Sequence, residues 1–197
     1  MNLNPNKLVF VHVPKCAGTS MARSLQSNKD HVVYHCATNR GKEWLTKSNP
    51  DNRLRVLDFD SSWYSFAFVR NPFDRMVSAW RSKWVSGPTY RKSFLEFLHY
   101  IDQTDKEFAK SHTYSFLDPR QKLFNEDGTQ RVNFIGRFEN LKQDFDSVCA
   151  IMSIGKITLS HENKGSRGLY QEYYNEEARA IVTERYKKDL EKFNYEF

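Results

Sequence analysis

Apolar residues fall in short runs separated by polar, turn-forming stretches. Leu8 to Val13 is apolar and rich in β-branched residues, the pattern of a strand buried in a parallel sheet. Pro14 follows and has no N–H to give a ladder, so it ends the run. His31–Cys36, Leu54–Phe59, Ser65–Val69 and Arg131–Ile135 are further strand candidates. Between them the period changes. Met21 to Leu25 reads as a helix, and Met76, Val77 and Trp80 have helical spacing. Lys92 to Gln103 is amphipathic, with Phe94, Leu95, Phe97, Leu98 and Ile101 apolar. Another helix runs from Leu141 to about Met152. Thr38–Asn52, with Gly41 and Pro50, reads as loop, and Asn125–Gly128 as a turn. This alternation predicts an α/β fold of three layers (α/β/α), with a central parallel sheet of about four or five strands. No repeat, low-complexity tract or linker interrupts it, and a chain of 197 residues predicts a single domain, 1–197.

Composition narrows the classes. With 39% apolar and 15% aromatic residues the chain can bury a real core, which excludes wholesale disorder. A formal charge of +6 and a pI near 9.2 suggest an anionic ligand: a nucleotide, a nucleic acid or an acidic polymer. Cys16, Cys36 and Cys149 are widely spaced and contain no C-x-x-C pair, which fits a reduced chain without a zinc knuckle. The N-terminal residues are polar, unlike a signal peptide, and no stretch is apolar enough to span a membrane, so a soluble, cytoplasmic protein is expected.

The candidate chemistry lies at two strand-to-helix turns. The first is Pro14-Lys15-Cys16-Ala17-Gly18-Thr19-Ser20. Gly18 permits close backbone approach or a positive φ, and Thr19 or Ser20 is placed to cap the helix. Free N–H groups at a helix start, the helix dipole, Lys15 and two hydroxyls together make a cradle for a phosphate or sulfate. Cys16 can be read as a reactive thiol or as a packed one. The nucleoside-triphosphate pattern G-x-x-x-x-G-K-[ST] is absent, because Lys15 precedes the glycine. The second turn is Arg70-Asn71-Pro72-Phe73-Asp74-Arg75. Asn71 and Pro72 form an N-cap and N1 pair, Arg70 stands at the strand's carboxyl end, and Ser78 lies two turns into the helix, sharing a face with Arg75. Parallel sheets bind ligands beyond those carboxyl ends.

The order Pro-Lys-x-x-Gly-Thr-Ser resembles the 5′-phosphosulfate loop of sulfotransferases, and Pro14–Ser20 resembles its carbohydrate sulfotransferase form. Val69 to Trp80 resembles the family's 3′-phosphate motif, with Arg70 and Ser78 at the two ligand positions. Gly136-Arg137-Phe138-Glu139-Asn140-Leu141 and the closing Tyr186–Tyr195 resemble further segments of the family, so the likeness runs from Leu8 to Tyr195 and is loose in the middle. It implies a P-loop-like sulfotransferase fold and the donor 3′-phosphoadenosine 5′-phosphosulfate, which leaves as adenosine 3′,5′-bisphosphate; no metal is demanded. Pro14 to Ser20 would hold the 5′ end, Lys15 stabilising charge on the leaving oxygen. Arg70 and Ser78 would hold the 3′-phosphate, joined by Lys164, Ser166 and Arg167 of a basic, glycine-bearing loop. A base is expected between the two motifs, where His35, Asp58 and Asp60 are candidates. His112, in Ser-His-Thr-Tyr, resembles a family histidine near the substrate.

The leading expectation is a sulfotransferase acting on a hydroxyl, a carbohydrate hydroxyl being the candidate the resemblance offers, with neither nucleic acid nor membrane as partner. A P-loop-like nucleotide kinase is the alternative; the absent GK[ST] and magnesium carboxylates argue against it. A non-catalytic binder of polyanions is a third reading, for which no nucleic-acid motif is present. Acceptor identity and oligomeric state are not legible.

Overall fold

A computed structural model describes residues 4–26, 32–36, 62–82, 92–104, 123–159 and 168–197. The chain divides into two compact units, Met1–Val69 with Arg120–Lys164, and Arg70–Pro119 with Gly165–Phe197. Among the described residues the strands are β1 (Asn4–Val11), β2 (Val32–Cys36), β3 (Trp63–Val69) and β4 (Phe134–Arg137). The helices are α1 (Gly18–Gln26), α2 (Pro72–Trp80), α3 (Phe94–Thr104), α4 (Leu141–Ile151), α5 (Glu176–Arg185) and α6 (Lys187–Phe193).

The first unit is built on a parallel sheet of order β2-β1-β3-β4. Consecutive residues of a strand point to opposite faces. Leu8, Val9, Phe10 and Val11 are all buried, as are Phe66, Ala67 and Phe68, so β1 and β3 are interior on both faces, which is what their unbroken apolar runs encode. Phe10 stacks on Phe66 across the strands at 5.1 Å.

Several boundaries differ from those expected: β1 starts at Asn4 and not Leu8, and β3 at Trp63 and not Ser65. β1 ends at Val11, so His12 and Val13 belong to the turn. β4 starts three residues later than the apolar run at Arg131, because residues just before it are engaged elsewhere. Phe124 and Gln130 form an antiparallel bridge closed by the Asn125–Gly128 turn, and the Arg131 N–H donates to Leu123 O at 2.8 Å. The join to β3 is made by Asn133, whose Oδ1 accepts from the N–H and hydroxyl of Ser65 at 2.7 and 2.8 Å. Gly136 then pairs with Phe68. A Cβ at Gly136 would stand 2.5 Å from the Phe68 ring, so the glycine is required by that ring lying across it. The expected strand Leu54–Phe59 lies outside the described residues.

The second unit is helical. Phe73, Met76 and Val77 of α2 pack with Phe94, Phe97, Leu98 and Ile101 of α3 and with Val182 and Tyr186 around one core. The apolar stripe of α3 is the one its periodicity predicts. Its start is a capping box: Glu96 accepts from the Ser93 N–H and hydroxyl at 2.9 and 2.7 Å, while the Glu96 N–H donates back to Ser93 Oγ at 3.2 Å. Those bonds hold the Glu96 carboxyl below its ordinary range.

Candidate active site

The first turn stores strain. Between the end of β1 and the start of α1, Lys15 has φ 65° and Ala17 φ 61°. The left-handed region is unfavourable for residues that carry a Cβ, at roughly 1–2 kcal/mol each. Outliers of this kind cluster at ligand clamps, and left-handed residues alternating along a turn form the concave nests of backbone N–H groups that bind anions. Gly18 is not one of the positive-φ residues. Its lack of a side chain serves close approach instead: a Cβ there would lie 2.6 Å from His12 Cε1 and 2.7 Å from Nε2. The half-buried His12 ring also stacks on Phe10, centroids 5.8 Å apart. His12 is thus part of the turn's wall, a role the apolar run around it concealed. The signal lay in its position, the last polar side chain before the proline.

The helix begins earlier than expected. Ala17 O accepts from the Met21 N–H at 3.1 Å, which places Ala17 at the N-cap position and Gly18 at the first turn. Thr19 and Ser20 therefore sit inside the helix and do not cap it; Thr19 is exposed and Ser20 buried. The first N–H groups of such a helix have no intrahelical acceptor, and with the dipole they favour an anion. Lys15 and Pro14 are half-buried. Cys16 is buried and its thiol faces Pro14 O at 3.7 Å, a packed cysteine and not an exposed nucleophile.

The second turn holds Arg70 and α2. Arg70 follows β3 directly and is itself buried. Its Nε and Nη2 both donate to Asp74 Oδ2, at 2.7 and 2.6 Å. Asn71 caps α2 as its sequence predicts, Oδ1 accepting from the Phe73 N–H at 3.0 Å, and its Nδ2 donates to Glu196 O at 2.7 Å. Ser78 is half-buried on α2. Arg75, one turn earlier, is turned inward: it is 1% exposed, 3.6 Å from Asp189 and 5.0 Å over the Tyr186 ring. Its charge is committed to the core of its unit.

At the carboxyl edge of the sheet, β3 and β4 end together, Val69 opposite Arg137, and the Arg137 N–H donates to Asp144 Oδ2 at 2.6 Å. His35 stands in β2 at the register position of Phe10. Asp58, Asp60, His112, Lys164, Ser166 and Arg167 lie outside the described residues. Among the described residues there is no cluster of three or more metal-ligating side chains, and no helix is long and apolar enough to cross a membrane.

No curated protein and no solved structure matches the chain. The model of the sulfotransferase family matches residues 3–196. That match spans both turns and both units, and the chain belongs to the sulfotransferase family.

Proposed function

We propose that this protein moves a sulfuryl group from 3′-phosphoadenosine 5′-phosphosulfate to an acceptor hydroxyl, a saccharide hydroxyl being favoured by the form of its first turn. The observation that carries this reading is the pair of left-handed residues, Lys15 and Ala17, set immediately before the start of α1 at Gly18. Both units would act as one sulfotransferase domain with helices on either side of the sheet, in keeping with a family match that runs through both. The donor supplies an activated sulfur–oxygen bond: the acceptor oxygen bonds to sulfur as the bond to the 5′-phosphate oxygen breaks.

The residues' tasks follow from their chemistry. The N–H groups of the turn and the Lys15 ammonium stabilise negative charge growing on the departing phosphate oxygen, a preorganised electrostatic task. Pro14, Cys16, Ala17 and Gly18 shape that turn, and Thr19 and Ser20 add hydroxyls. Arg70, whose planar fork matches phosphate oxygens, and Ser78 take the 3′-phosphate, with Lys164, Ser166 and Arg167 as further contacts. One of His35, Asp58 and Asp60 accepts the acceptor's proton, and His112 stands on the acceptor side.

Formation of adenosine 3′,5′-bisphosphate from the donor, in the presence of a panel of carbohydrate and other hydroxyl acceptors, tests this. Lys15→Ala is expected to lower turnover about 10²–10³-fold, the usual cost of one transition-state donor. Arg70→Ala is expected mainly to raise the donor KM. Turnover unchanged in Lys15→Ala overturns the role given to that lysine.

A further inference from the structure

We infer that Asp74 is a positioning residue for recognition of the donor's 3′-phosphate, holding the Arg70 guanidinium in one orientation; the inference rests on the reading of Arg70 given above. Two donors of one guanidinium, Nε and Nη2, converge on a single carboxylate oxygen at 2.7 and 2.6 Å. Both side chains are withdrawn from water, at 6% and 14% exposure, so solvent does not compete strongly for the pair. Asp74 is itself fixed. It lies in the first turn of α2, two residues after Pro72 at the helix start, and that start is held by the Asn71 cap.

Arg70, by contrast, lies between β3 and α2, in neither element. A long side chain free to choose rotamers loses that freedom on binding. Asp74 removes the choice beforehand by engaging one edge of the guanidinium. The far end of an arginine fork is the edge that matches two phosphate oxygens. A carboxylate four residues along the chain thus sets where those oxygens must arrive, and discriminates a nucleotide with a 3′-phosphate from one without.

The sign of the effect separates this role from simple electrostatics. A carboxylate near an anion site repels the anion, so removing it should tighten binding on charge alone. Positioning predicts the reverse. The test is calorimetric titration of wild type, Asp74→Asn, Arg70→Ala and the double variant with adenosine 3′,5′-bisphosphate and with adenosine 5′-monophosphate. Asp74→Asn is expected to weaken the bisphosphate about tenfold, the low end of what losing an orienting partner costs elsewhere. Monophosphate binding should stay within about twofold on the same argument. In the Arg70→Ala background the Asp74 change should have no further effect, which a merely structural role would not give. Asp74→Glu, which keeps the charge, should restore most of the selectivity. Asp74→Ser is the second neutral variant should the asparagine protein not fold. Tighter or unchanged bisphosphate binding in a folded neutral variant overturns the inference while leaving Arg70 its role. Loss of 3′-phosphate selectivity in the wild type instead overturns the reading of Arg70 itself.

Discussion

Gly18 and His12 illustrate how a single position can be conspicuous in a sequence while its reason is hidden. Glycine at a strand-to-helix turn has two common uses, positive φ and close approach. The left-handed conformations fall on Lys15 and Ala17 instead, and Gly18 makes room for the His12 ring. No local preference of lysine or alanine announces such a backbone; the path from β1 to α1 imposes it. Gly18→Ala is expected to lower stability by roughly 1–3 kcal/mol, the cost of overpacking a filled site, seen as a lower denaturant midpoint. Adding His12→Ala should recover most of the loss, because the atoms met belong to that ring. A single variant as stable as wild type would show that the ring gives way freely. Arg70 was legible as a residue at a strand's end, but its pairing with Asp74, four residues along, was not, since either side chain could have faced water.

At the scale of elements, most strands and helices follow their hydrophobic periods and differ at their ends, whereas the helix α5 was not read from the sequence. The cores of β1 and β3, Leu8–Val11 and Phe66–Val69, read clearly because both faces are buried and every residue there is apolar. β4 was displaced because the strand's onset depends on Asn133 finding Ser65, a contact across 68 residues of chain. The onset of α1 was misplaced because a hydroxyl at a helix start suggests a cap, whereas here Ala17 holds that position. The capping box of α3 could have been read, since Ser93-Phe94-Leu95-Glu96 carries its signature. Ser93→Ala should cost about 1 kcal/mol by chemical denaturation. The box also carries a pH dependence. The Glu96 carboxyl is held below its unfolded value by Ser93, so its contribution is present above the ordinary carboxylate range and is lost as pH falls through the folded value. Removing the box should therefore flatten the acid limb of the stability profile; an unchanged limb in Ser93→Ala would contradict this. In β4, Gly136→Ala should destabilise by roughly 1–3 kcal/mol through the Phe68 ring, with thermal unfolding as the check.

For the whole molecule, the residue types of the two turns suggest anion binding, and the family match runs over residues 3–196. The division into two compact units was not legible. No linker composition marks the boundary at Val69 and Arg70, because it falls inside a strand–turn–helix stretch whose local pattern is unbroken. A charge of +6 favours anions in general; on the reading proposed above, the turns select among them. If the charge alone attracted ligand, any nucleotide would do and binding would fall steeply with salt for all of them. The measurement that tests the central claim most directly is calorimetric titration of the intact protein with adenosine 3′,5′-bisphosphate, alongside ATP and adenosine 5′-monophosphate at the same ionic strength. Binding of the bisphosphate at least tenfold tighter than either is the result expected of a site that reads a 3′-phosphate and is worth about 1.4 kcal/mol or more. Equal binding of all three, or preference for ATP, in a folded sample would contradict it.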